Sequence, residues 1–148
     1  MAAVSGNPGD VAIRQNPPND RSTAAVLVVD DQPAFRAVLR RVVDRTAALV
    51  FIGEADSGEG AVELTRSLEP DLILMDVRMP GIGGLTATKQ IKEVQPEVLV
   101  ILVSTTHPEY LVDAATACDA DAAVWKSDLC PGLLEDLWRT HSTLRHES

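Results

Sequence analysis

Five polar side chains stand at the ends of four short apolar runs. Asp30 and Asp31 come after residues 25–29, Asp76 after 72–75, Ser104 after 99–103, and Lys126 after 122–125. Brought together, three carboxylates repel one another and partly neutralise unless a cation joins them. A hard divalent ion answers that need, and Mg²⁺ characteristically takes one or two carboxylates, with phosphate oxygens and waters as its remaining ligands. The Ser hydroxyl and Lys ammonium are then donors to an incoming anion. A carboxylate nucleophile, a charge-neutralising metal and two donors to phosphoryl oxygens make up a phosphoryl-acceptor site. Taken singly, each residue has a plainer reading. Asp31 ahead of Pro33 suits a helix cap, and a lone Asp after a strand is common turn chemistry.

The elements that must position these groups are legible in the apolar pattern. Residues 25–29, 49–52, 72–75, 99–103 and 122–125 are continuous apolar runs, as expected of parallel strands covered on both faces. Between them lie helical patterns. Phe35, Val38, Leu39, Val42 and Val43 recur at helical spacing, as do Ala61, Leu64, Thr65 and Leu68. Leu111, Ala114, Ala115 and Cys118 form another set, and Leu133, Leu134, Leu137, Trp138 and His141 the last. Residues 85–94 make a weaker helix, started by Gly81, Gly83 and Gly84 and ended before Pro96. Successive βα units imply right-handed crossovers and an open, doubly wound α/β sheet with helices on both faces. Ligands in such sheets bind at the carboxyl ends of the strands, where all five polar residues stand.

Bulk properties bound the rest. A chain of 148 residues, 45% hydrophobic and 24% charged, fits one folded, water-soluble domain. Nothing in it reads as a secretory leader or a membrane span, so membrane insertion is not expected and the location is read as cytoplasmic. A net charge of −9 speaks against direct nucleic-acid binding. Arg36, Arg40, Arg41 and Arg45 form a basic group whose spacing reads as one solvated helix face. Cys118 and Cys130 have no His or Cys at metal-ligand spacing and read as reduced structural thiols. Residues 1–23, rich in Pro, Gly and Asn, lack apolar periodicity and read as a flexible N-terminal arm. Val11 and Ile13 are isolated apolar anchors by which such an arm would dock on a larger protein assembly.

The ordered set of motifs resembles the receiver domains of bacterial two-component response regulators. Val28-Val29-Asp30-Asp31 is similar to their acidic pair, and Leu74-Met75-Asp76-Val77-Arg78-Met79-Pro80-Gly81 to their phosphoacceptor loop. Leu102-Val103-Ser104 and Trp125-Lys126 match the remaining two positions. The resemblance implies a five-stranded flavodoxin-like sheet of order 2-1-3-4-5, with the receiver domain at 24–144 and a short tail at 145–148. It implies that Asp76 is the phosphoacceptor, that Ser104 and Lys126 assist, and that Mg²⁺ sits on Asp30, Asp31, Asp76 and the backbone carbonyl of Arg78. It also implies a histidine kinase or phosphotransfer protein as donor, no enzymatic activity beyond self-phosphorylation and autodephosphorylation, and output by binding a protein target. Only one helix and a tail follow Lys126, so the expectation is a stand-alone receiver. The alternative is an accessory subunit of a larger assembly, recruited independently of phosphorylation.

Three departures from the family pattern bear on this reading. Ala123 stands where the family usually has Tyr or Phe, which weakens the expected coupling from pocket to output face. Thr105 replaces a small residue, and Ser127 replaces a frequent Pro, so no cis peptide is expected there. In the family, the positions of Arg78 and Thr106 line the path of the attacking water, and Arg78 is expected to prolong the phosphoryl lifetime. Other chemistries with related folds fit less well. Asp30-Asp31 would repel a flavin phosphate, and a dehalogenase-type phosphatase needs an Asp where Arg78 stands. Gly81-Ile82-Gly83-Gly84 lacks the spacing and placement of a dinucleotide fingerprint.

Overall fold

The computed structural model describes residues 23–105 and 108–147. The expected N-terminal arm lies outside the described residues, apart from Thr23, and so does Thr106. The strands are β1 (Ala24–Val29), β2 (Leu49–Ala55), β3 (Leu72–Asp76), β4 (Leu99–Ser104) and β5 (Ala122–Trp125). They alternate with α1 (Pro33–Asp44), α2 (Gly58–Leu68), α3 (Gly83–Val94), α4 (Pro108–Cys118) and α5 (Pro131–Glu147). The sheet is parallel throughout, in the order β2-β1-β3-β4-β5.

Alternation along the strands divides the interior into two cores. Val26, Val28, Leu72, Leu74 and Ile101 face α1 and α5, meeting Leu39, Val43, Leu134 and Trp138. Leu27, Val29, Ile73, Met75 and Leu102 face α2, α3 and α4, meeting Ala61, Ala87, Ile91 and Leu111. The inner strands β1, β3 and β4 are buried on both faces apart from Ala25, which is why their apolar runs are continuous. At the sheet edge, β2 departs from that expectation: Val50 is 46% exposed and Glu54 is exposed as well. It also runs to Ala55, beyond the apolar run, because a bulge opposite Val26 and Leu27 lets Gly53, Glu54 and Ala55 pair with β1.

Helix starts follow local chemistry. Pro33 opens α1, and the Ser57 hydroxyl caps α2 by accepting from Gly60 N at 3.0 Å. At the other end of the sheet, Lys92 closes α3. Its ammonium donates to the carbonyls of Pro96 and Val98, each at 2.8 Å, and pairs with Asp121 at 2.9 Å. No peptide bond among the described residues is cis.

Candidate functional site

Strand β1 stops at Val29, and the chain is turned at once. Asp30 N–H donates to Ala55 O at 3.1 Å, and the Asp30 carboxylate accepts from Gln32 N–H at 2.9 Å. That second bond makes the turn into α1, whose N-cap, Gln32, has no side-chain cap bond. Asp31 is therefore not a helix cap. It is half-buried beside two buried neighbours, Asp30 (0% exposed) and Asp76 (5%). One carboxylate oxygen from each of Asp30, Asp31 and Asp76 lies within 4.8 Å of the others.

Lys126, at the end of β5, reaches across the edge of the sheet to this cluster. Its ammonium lies 2.9 Å from Asp30 Oδ2 and 3.4 Å from Asp76 Oδ1. One cation thus pairs with two carboxylates of the three in the cluster. Burial pushes the Asp76 carboxyl up to about 6 from an ordinary 3.8, and the Asp30 charge pushes the same way. Lys126 opposes both through its charge and hydrogen bond, and Asp31 adds a smaller upward push. Hard oxygen donors in slight charge excess are a donor set suited to Mg²⁺. Ser104 is buried at the end of β4, one residue beyond Val103, the register partner of Asp76. Arg78 is exposed on the β3–α3 loop.

That loop explains a glycine. A Cβ on Gly84 would stand 2.0 Å from the Asp76 carbonyl oxygen, so only glycine lets α3 begin this close to Asp76. Gly81 and Gly83 both take φ +80°, the left-handed conformation the turn requires.

Two expectations about α1 are corrected. Its basic residues are not simply a solvated face. Arg36 donates from Nη1 to the Asp30 carbonyl at 2.7 Å and pairs through Nε with Glu54 at 3.0 Å. Arg40 lies over the Phe51 ring, 4.2 Å from its centroid. Phe35 shares the helical spacing of the apolar stripe but belongs to neither core cluster. Its ring lies beneath Lys126, with Nζ 3.7 Å from the centroid. Spacing alone concealed this. The only available signal was that Phe35 and Arg36 sit in the first turn after the acidic pair.

The remaining residues singled out by sequence lie elsewhere. His141 Nε2 is 3.0 Å from Glu97 O, away from the carboxylates, and the side chains of His107 and His146 are outside the described residues. Cys118 is buried, Cys130 is exposed, and both are free thiols. Ala123 is half-buried on the α4 side. No described helix is long and apolar enough to cross a membrane.

Parallel order 2-1-3-4-5 with acidic, hydroxyl and ammonium groups at the strand ends is the architecture of a signal receiver domain. The chain belongs to the response regulator receiver domain family, whose model matches residues 26–130. Response regulator GacA of Pseudomonas aeruginosa is 42% identical over 96 residues, which cover 62% of this chain and 45% of that protein. The signal receiver domain of the putative response regulator NarL from Mycobacterium tuberculosis superposes with a TM-score of 0.73 at 27% identity, covering 82% of this chain and 98% of that one. The response regulator domain of Thermotoga maritima CheB gives 0.72 at 31% identity, covering 82% and 97%. The chain spans about half the length, 45–50%, of curated relatives such as GacA and NarL.

Proposed function

We propose that Asp76 accepts a phosphoryl group from a histidine kinase or phosphotransfer protein, and that the phosphorylated domain signals by binding a protein target. The observation that carries this reading is the three-carboxylate cluster with Lys126 drawn between Asp30 and Asp76. An Asp76 carboxylate oxygen attacks phosphorus and forms an O–P bond, while the donor's P–N bond breaks with a proton going to the departing imidazole, or an acyl P–O bond breaks and the carboxylate leaves as its anion. Lys126 swings from Asp30 to a phosphoryl oxygen, and the Ser104 hydroxyl donates to another. Asp30, Asp31, Asp76 and the Arg78 carbonyl would hold Mg²⁺, which supplies neutralisation of the charge gathered at the phosphoryl oxygens. The raised Asp76 pKa adds a reason for the cation, because a carboxyl titrating near 6 is a full nucleophile only when ionised.

The test is incubation with acetyl phosphate and Mg²⁺, read by intact mass. One phosphoryl group is expected on the wild type and none on Asp76→Asn. Stoichiometric labelling of the Asn variant would overturn the assignment. Chelation of Mg²⁺ or Asp31→Ala should slow labelling by at least about tenfold, since charge neutralisation dominates phosphoryl transfer.

A further inference from the structure

The partners of Lys126 are unequal. Asp30 is held on every side, by Ala55 O, Gln32 N–H and Arg36 Nη1 as well as by the ammonium. Asp76 lies farther from Nζ, at 3.4 Å against 2.9 Å. With those two contacts alone, the ammonium would settle on Asp30, and a long flexible stem gives it freedom to leave for solvent. The third partner is the face of Phe35, 3.7 Å from Nζ to the ring centroid. Packing does not account for that ring, since Phe35 is absent from both cores. An aromatic face attracts a cation broadly over its surface, whereas an ion pair fixes it at one oxygen. A lysine resting on such a face pivots between Asp30 and a phosphoryl oxygen at little cost.

We propose that Phe35 is a positioning residue for phosphoryl acceptance: its ring is the platform that keeps the Lys126 ammonium beside Asp76 while it changes anionic partner. This rests on the acceptor reading of Asp76 and Lys126. Arg36, the next residue on α1, fixes the Asp30 main chain, so a single helical turn orients both ends of the Lys126–Asp30 pair.

The test replaces Phe35 with mono-, di- and trifluorophenylalanine, which keep the ring's shape while draining its negative face. Phe35→Leu and Phe35→Tyr bracket the series. At saturating acetyl phosphate and Mg²⁺, the labelling rate should fall stepwise with each fluorine, reaching about fivefold for the trifluoro ring and for Leu. Tyr should restore it, and half-saturating acetyl phosphate should change little. Independently of activity, the Lys126 ε-methylene protons of the metal-free wild type should be shifted upfield by the ring, and Phe35→Leu should abolish that shift. Equal rates across the fluorinated series, or an unshifted ε-methylene in the wild type, would overturn the platform. Failure of the wild type itself to label, with the ring-current shift present, would instead overturn the acceptor reading.

Discussion

Each end of the sheet holds a lysine paired with carboxylate, Lys92 among backbone carbonyls and Lys126 between two acids and a ring, and the two arrangements differ in what they leave unsatisfied. At the amino end, Lys92 has one carboxylate and two carbonyls as acceptors, and Asp121 also takes the Val100 N–H at 2.8 Å. Nearby, Asp71 accepts from Ala25 N–H at 2.8 Å. Lys92 itself meets one anion, Asp121, with the backbone supplying the remaining partners of both carboxylates. At the carboxyl end, one ammonium pairs with two carboxylates of a cluster of three, and Asp76 is displaced to a pKa of about 6. A lysine whose partners are all satisfied makes a clasp, whereas three acids sharing one lysine leave a donor set suited to a cation.

The largest expected difference between the two ends is in stability. Lys92→Met should lower unfolding free energy by about 3 kcal/mol, because it strips partners from Asp121 and from two carbonyls at a site where the lysine is mostly buried. Denaturant titration with and without Mg²⁺ checks this, and the loss should be the same in both. Rescue by Mg²⁺ would show that the amino end is not an independent clasp.

Asp76→Asn should act in the opposite direction and depend on pH. Asp76 binds its proton more tightly folded than unfolded, so its wild-type contribution is fully present below about pH 4 and lost as pH rises through about 6. A rise from 3.8 to about 6 sets a ceiling near 3 kcal/mol at about 1.4 kcal/mol per pH unit. The Asn variant avoids that loss. Its stability relative to wild type should climb by about 2 kcal/mol between pH 4 and pH 8 in chelator, and Mg²⁺ should shrink the gap by stabilising the wild type. A gap flat across that pH range would show that the carboxyl end carries no charge deficit.

The smallest effect is expected at Glu54. Glu54→Gln weakens an ion pair in which Glu54 itself is half-exposed, and it should cost about 0.5 kcal/mol in low salt, less in high salt. A loss as large as that of Lys92→Met would place Glu54 in the framework of the fold rather than at the margin of the site.

Element type and order were legible because the inner strands are buried on both faces, so their sequence had to be continuously apolar. Edge strand β2 was legible only in part: its last three residues pair with β1 through a bulge that no local pattern announces. The acidic pair, Asp76, Ser104 and Lys126 were visible because strand ends converge in any parallel sheet of this kind, whatever the details of packing. What sequence spacing could not assign was which side chains near that edge turn toward it. Phe35 and Arg36 carry the periodicity of an ordinary amphipathic helix, and an apolar or basic residue reads alike whether it meets a core, solvent or a charged neighbour. Tertiary structure decided that by setting the first turn of α1 against Lys126, Asp30 and Glu54. It decided the charge balance as well, because a carboxylate's proton affinity depends on burial and on neighbours remote in sequence, such as Lys126 to Asp30 and Asp76.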